Sequence, residues 1–65
     1  MVDDLLPFDD RADSVPQLAE RWDVSPALIW KELAAGRLRS VKIGKLRRIL
    51  PEHRKAYERS REVKP

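Results

Sequence analysis

Apolar residues recur at helical spacing directly after a helix start signal. Ser14 is a capping residue, Pro16 is tolerated in the first turn, and Gln17 stands three residues after the cap, where it completes a capping box. The positions that follow at i, i+3, i+4 and i+7 are all apolar: Val15, Leu18, Ala19 and Trp22. The pattern predicts a short amphipathic helix that packs this stripe, Trp22 included, into a core.

A second helix start follows after a connection of about three residues. Ser25 is its capping residue, and Pro26 occupies the first helical position, where the fixed φ of proline is already suitable. The helix is predicted to run to Ala35, because Gly36 supplies the left-handed residue that ends a helix. Two helices joined by so short a turn are typical of a helix-turn-helix.

Beyond the glycine, the period of the pattern changes from that of a helix to that of a strand. Residues 39–43 alternate, and residues 45–49 form a second short extended run on the other side of Gly44. These runs predict a β-hairpin, in which Gly44-Lys45 is compatible with a type II′ turn.

A last helix is predicted to begin at Pro51-Glu52, and it is amphipathic only in part. Its expected inward residues are Ala56 and Tyr57. Its expected outward residues are basic: Arg54, Lys55, Arg59, Arg61 and Lys64. The complete pattern is that of a mainly α fold with a small β-hairpin wing, a winged helix-turn-helix formed by residues 14–65 as a single domain after a tail of residues 1–13.

Charge is divided unevenly along the chain, whose formal net charge is +3. Residues 1–13 hold five Asp and one Arg, a net −4, so residues 14–65, with thirteen Lys or Arg and six Asp or Glu, carry +7. Within residues 37–48 there are six cations and no acid: Arg37, Arg39, Lys42, Lys45, Arg47 and Arg48. Such density is what phosphate neutralisation requires, and it favours a nucleic-acid surface over a merely solubilising one, which usually mixes both signs.

The acidic tail has two open interpretations. Its large apolar residues, Leu5, Leu6 and Phe8, could pack over an edge of the small core or be presented to a partner. A further hypothesis is that the tail touches the basic surface of a neighbouring copy bound to the same DNA. That contact would give head-to-tail cooperativity.

The second helix sorts into a core face and a groove face. At about 100° per residue, Ile29 and Leu33 point together, whereas Ala27 and Lys31 point roughly opposite and should face the major groove. Trp30 lies on the flank, where its ring could either finish the core or lie against a sugar-phosphate strand. Small apolar residues at the helix start permit close approach but offer few hydrogen bonds, so direct base readout should be modest.

In the hairpin, Lys42, Lys45 and Arg47 are the first candidates for phosphate or minor-groove contacts. Arg47 shares its period-two face with Ile49, which leaves its orientation open. Together, the predicted DNA-contacting residues are Ser25, Pro26, Ala27, Trp30, Lys31, Arg37, Arg39, Lys42, Lys45, Arg47 and Arg48.

Other function classes find little support in the residues. The chain has no Cys and one His, His53, which stands beside Glu52 in a charged helix start and is expected at the surface. Paired acids occur only in the tail, so neither a metal site nor a cofactor is expected, and the protein is predicted not to be an enzyme. The apolar runs are too short for a membrane span, and a cytoplasmic location is expected.

Several short motifs occur in a fixed order along residues 14–57. They are Ser14-Val15-Pro16-Gln17-Leu18-Ala19-Glu20, Val24-Ser25-Pro26, Trp30, Gly36-Arg37-Leu38, Val41-Lys42-Ile43-Gly44-Lys45, Arg48-Ile49 and Tyr57. In this order they resemble the phage excisionase family, whose winged-helix fold is akin to that of the mercury-resistance type of regulator. The chain departs from the family pattern at Pro26 and Ala27, where polar or basic residues are frequent, and at Arg54, where an apolar residue is usual.

The resemblance implies a recombination directionality factor. Such a protein binds repeated sites in double-stranded attachment-site DNA, bends it, contacts the tyrosine integrase and directs recombination toward excision, with no chemistry of its own. A prophage-type transcriptional regulator with the same domain is the nearest alternative. A protein-interaction module with an incidental basic surface is the second.

Overall fold

The computed structural model describes residues 11–63 of the 65-residue chain. The elements, in chain order, are α1 Val15–Trp22, α2 Pro26–Ala34, β1 Val41–Ile43, β2 Leu46–Arg48 and α3 Pro51–Ser60. This confirms the predicted mainly α fold with a small two-stranded wing. The second helix ends one residue earlier than predicted, with Ala35 as its cap.

Helix α1 begins and ends through local backbone chemistry. Ser14 Oγ accepts a hydrogen bond from Gln17 N at 3.3 Å, and Ser14 N donates to Gln17 Oε1 at 2.9 Å, which forms the predicted capping box. At the other end Asp23 adopts the left-handed conformation, with φ 56° and ψ 49°, and Val24 N donates to Ala19 O at 2.9 Å. The chain therefore reverses sharply enough for α2 to begin after three residues, Asp23 to Ser25.

Asp23→Gly should raise the free energy of unfolding by about 0.5–1 kcal/mol. A left-handed residue with a Cβ costs about 1–2 kcal/mol, part of which the greater freedom of glycine in the unfolded chain offsets. The change also removes a negative charge from the C-terminal end of a helix, where it is unfavourable. Urea unfolding followed by circular dichroism measures the effect. Asp23→Ala is the control, since an equal gain in that variant would assign the effect to charge alone.

Helix α2 ends in a Schellman motif around Gly36, which has φ 79°. Gly36 N donates to Leu33 O at 3.1 Å, and Arg37 N donates to Glu32 O at 3.1 Å. The chain leaves this turn with Leu38 buried in the core. The turn thus fixes where the hairpin starts relative to α2.

The hairpin has the register that a two-residue turn imposes. Ile43 pairs with Leu46, Lys42 with Arg47 and Val41 with Arg48. Gly44 has φ 60°, whereas Lys45 has a negative φ, as a type II′ turn requires.

The core is small and is formed by residues of α1, of α2 and of the segments that directly precede and follow the hairpin. Its buried residues are Val15, Leu18, Ala19, Ile29, Leu38 and Ile49. Trp22 is only partly buried and stacks on Tyr57 with ring centroids 5.1 Å apart, so α3 packs against the end of α1. The prediction that the α1 stripe packs into the core is confirmed, with Trp22 at its edge.

The described residues include Asp13, the last residue of the predicted tail. Asp13 N donates to Ile49 O at 2.9 Å, and Ile49 N donates to Asp13 O at 2.8 Å. The Asp13 side chain is buried and accepts hydrogen bonds from Arg21 Nε at 2.8 Å and Nη2 at 3.3 Å. Placing Asp13 in a tail was therefore wrong. Residues 1–10, including Leu5, Leu6 and Phe8, lie outside the described residues.

The orientation predicted for α3 was also wrong in part. Arg54, expected to point outward, is buried, whereas Ala56, expected inward, is exposed. The reason is the helix phase: Arg54 lies three residues before the inward-facing Tyr57 and therefore on the same face. Its guanidinium reaches Glu58, with Nη1 3.3 Å from Oε2, so the long side chain buries its stem while its charge stays paired.

Candidate nucleic-acid interface

The outward face of α2 carries small side chains and a single charge. Ile29 and Glu32 are buried on one side of the helix. Ala27 and Lys31 are exposed on the other side, as was predicted for these two residues. Ala34 is exposed as well and lies seven residues after Ala27, on the same face. The sequence prediction omitted Ala34, although the helical period would have identified it.

The first turn of α2 presents apolar surface. Ser25 is exposed, but its Oγ accepts a hydrogen bond from Leu28 N at 3.3 Å and so caps the helix. Pro26 is exposed beside it, and so is Leu28, which the sequence prediction did not include. Leu28 and Trp30 stand on opposite flanks of the outward face, each roughly 80° from its centre.

Trp30 is not a core residue. It is 49% exposed, and the Cζ atom of Arg47 lies 5.6 Å from the centroid of its ring, within range of a cation–π interaction. Arg47 Nη1 also donates to Ser40 Oγ at 2.8 Å. The side chain of Arg47 therefore links the hairpin to the flank of α2. Arg47 and Lys42 lie on the same face of the hairpin, and this face is turned toward Trp30.

The other predicted cations differ in whether their side chains make hydrogen bonds or ion pairs. Arg39, Lys42 and Lys45 are exposed, and so is Lys31 on α2. The side chains of these four make no hydrogen bond or ion pair with any residue between 11 and 63. Arg48 is half-buried and donates from Nη1 to Arg47 O at 2.9 Å. The four exposed cations are thus available to phosphate groups.

Arg37, also predicted to contact DNA, is held by an ion pair. Its Nε donates to Glu32 Oε1 at 3.0 Å and its Nη2 to Glu32 Oε2 at 2.6 Å, a bidentate arrangement. Tyr57 Oη donates to Glu32 Oε1 at 2.8 Å, and Arg61 Nη2 donates to the same oxygen at 3.1 Å. Glu32, only 6% exposed, therefore joins α2, α3 and the start of the hairpin segment.

These contacts shift the protonation equilibria of the cluster. The hydrogen bonds from Arg37 and then from Tyr57 lower the pKa of Glu32 from 4.5 to about 2. The Glu32 carboxylate in turn raises the pKa of Arg37. Burial, and next the hydrogen bond to Glu32, raises the pKa of Tyr57. The sequence prediction missed Glu32; its position three residues after Ile29, on the buried face of the helix, was the available signal.

Residues 11–63 show neither a metal site nor a membrane-spanning helix. No group of three or more His, Asp or Glu side chains there is arranged to hold a metal ion. None of the three helices is long and apolar enough to cross a membrane. His53 accepts a hydrogen bond from Leu50 N on its Nδ1 at 3.3 Å and thereby helps to begin α3.

An open apolar groove of about 330 Å³ runs beside the Leu28 flank of α2, between the ends of α1 and α3. Its lining includes Trp22, Val24, Leu28, Ile29, Tyr57 and Glu58. Trp22 Nε1 donates to Glu58 Oε2 at 2.6 Å on one side of it, which orients the indole.

No protein-family model, curated protein or solved structure matches this chain.

Proposed function

We propose that this chain binds double-stranded DNA, with α2 in the major groove and the β1–β2 wing on the adjacent backbone or minor groove. One observation supports the proposal most directly. The exposed face of α2 carries Lys31 and adjoins a hairpin segment that exposes Arg39, Lys42 and Lys45, and none of these four cations has a partner among residues 11–63. A surface of this kind neutralises phosphates on both sides of a groove.

The proposed complex takes its affinity mainly from the backbone. Ala27 and Ala34 allow α2 to approach the base edges closely and to touch thymine methyl groups, but they donate no hydrogen bonds. Lys31 is the one charged side chain on that face in the described part of α2. Sequence preference then depends on Lys31 and on the shape and deformability of the DNA.

The biological role that we propose is that of an excisionase, and its support is the resemblance described above. In this role the protein binds repeated sites in attachment-site DNA in the host-cell cytoplasm. It bends the DNA, contacts the tyrosine integrase and directs recombination toward excision. It acts by binding and performs no chemistry.

A gel-shift titration tests DNA binding, with attachment-region DNA compared with scrambled DNA at two salt concentrations. Lys45→Ala should weaken binding about 5–10-fold at low salt and reduce the log–log salt slope by about 0.9, the value for one lost phosphate contact. Lys31→Ala should weaken binding to attachment-region DNA about 5–10-fold and reduce the preference for it over scrambled DNA, because Lys31 faces the base edges. Lys55→Ala is the matched control because it removes an exposed lysine from α3. It should leave the affinity, the salt slope and the preference nearly unchanged.

The alternatives give different outcomes in the same assay. Weak, equal binding to both DNAs would overturn specific recognition and favour a protein-interaction module. Specific sites within an attachment region, accompanied by strong bending, would support the excisionase role. Specific sites across a promoter instead would indicate a transcriptional regulator.

A further inference from the structure

The tip of the wing exposes a pair of large apolar side chains. Ile43 is 65% exposed and Leu46 is 55% exposed, and the two face each other across the strands in the last pair before the turn. The pair lies on the opposite face of the hairpin from Arg47, because Lys42 and Arg47 occupy the neighbouring register position. Nothing within residues 11–63 covers this pair.

The surroundings of the pair are cationic. Lys42 precedes Ile43 and Lys45 precedes Leu46, both lysines are exposed, and no acidic residue occurs anywhere in residues 37–48. An apolar pair next to exposed cations is poorly suited to another positive surface, including the wing of a second copy. It is well suited to a polyanion that also offers apolar surface, and the DNA minor groove does so through its sugar walls and the faces of partly unstacked bases.

We propose that Ile43 and Leu46 form an apolar wedge that enters the DNA minor groove and partly unstacks a base step. The inference deepens the DNA-binding function proposed above and rests on it. Lys42 and Lys45, each next in sequence to one member of the pair, contact the phosphates that border the groove, and the wedge opens the step. Insertion of leucine or isoleucine side chains in this way kinks a duplex toward the major groove. The wedge is thereby also the source of the DNA bending.

Apolar and ionic contacts respond differently to salt. The salt dependence of binding therefore distinguishes the contribution of the Ile43–Leu46 wedge from that of Lys42 and Lys45. Removing a phosphate contact lowers the log–log salt slope by about 0.9, whereas removing an apolar contact lowers affinity and leaves the slope unchanged. Ile43→Thr/Leu46→Thr therefore should weaken binding about 10-fold with the same salt slope. Lys42→Ala/Lys45→Ala should reduce the slope by about 0.9 for each lysine.

The decisive probe is an alternating A·T duplex that carries 2-aminopurine at some adenine positions, whose fluorescence rises when the base is unstacked. TA steps are flexible, so they open most readily. The wild-type chain should raise the fluorescence, and Ile43→Thr/Leu46→Thr should abolish the rise even at saturating protein. Threonine keeps the strand propensity of both positions. Val63→Thr, at an apolar residue that is 88% exposed outside the wing, is the matched control and should behave as wild type.

Three results would overturn the wedge. If the wild-type chain fails to bind the duplex even at low salt, the proposed DNA-binding function fails with it. If the wild type binds but Ile43→Thr/Leu46→Thr equals it in affinity and fluorescence, only the wedge is wrong. If sedimentation without DNA shows a wild-type dimer that this double variant dissociates, the pair is instead an interface between copies.

Discussion

Asp13→Ala should lower the free energy of unfolding by about 2 kcal/mol, because it removes a buried carboxylate that accepts two charged hydrogen bonds from the Arg21 guanidinium. The side chains of Asp13 and Arg21 are 4% and 10% exposed, and the ion pair between them is 2.8 Å long. The backbone hydrogen bonds between Asp13 and Ile49 remain possible in the variant. For a chain of this length the total stability is roughly 3–10 kcal/mol, so a loss of this size would unfold a measurable fraction of the protein.

Thermal and urea unfolding of the Asp13→Ala variant measure this loss. Glu20→Ala, an exposed acid on α1, is the control and should change stability by less than about 0.5 kcal/mol. Adding Arg21→Met to Asp13→Ala should cost less than the sum of the two single losses, because the two residues are in direct contact. A stability of Asp13→Ala equal to that of the control would show that the ion pair contributes nothing.

Because Asp13 stabilises the domain through Arg21, a test of the N-terminal segment has to retain Asp13. Deleting residues 1–13 would remove Asp13 and destabilise the domain, so a loss of DNA-binding cooperativity in that variant would be uninterpretable. Deleting residues 1–10 retains Asp13 and its bridge to Ile49. Titration of multi-site DNA with this shorter deletion tests the head-to-tail hypothesis, and unchanged cooperativity would dismiss it.

Glu32→Gln should reduce stability at neutral pH and flatten its dependence on acid pH. The pKa of Glu32 is about 2 in the folded protein, against an ordinary value of 4.5. The unfolded chain therefore binds the proton more readily below pH 5. The stabilisation that Glu32 provides is fully present above its ordinary pKa and is lost as the pH falls from about 4.5 toward 2.

Urea unfolding at several pH values between 2 and 7 tests this expectation. The stability of the wild-type chain should fall over the acid range, and the difference between wild type and Glu32→Gln should shrink in parallel. Glu20→Gln, on the exposed face of α1, is the matched control and should follow the wild-type curve. A difference between wild type and Glu32→Gln that stays constant with pH would mean that Glu32 acts only through packing.

Much of the fold could be predicted from the sequence, because the signals concerned are local. Ser14 with Gln17 and Ser25 with Pro26 set the two helix starts, and these contacts depend on residues no more than four positions apart. Gly36 and Gly44 set the end of α2 and the hairpin turn, since both positions require a positive φ that glycine adopts without strain. The outward position of Lys31 likewise follows from the helical period alone.

Tertiary structure decided the contacts between distant residues. Asp13 pairs with Ile49 and Arg21, and Glu32 joins Arg37, Tyr57 and Arg61, across sequence separations of up to 36 residues. No periodicity encodes which acid meets which base, because a charged residue looks the same in sequence whether it faces water or a partner. The physical reason is burial. A carboxylate removed from water must be paired, and only the packing of the helices and the hairpin determines which cations pair with these acids and which stay exposed to solvent.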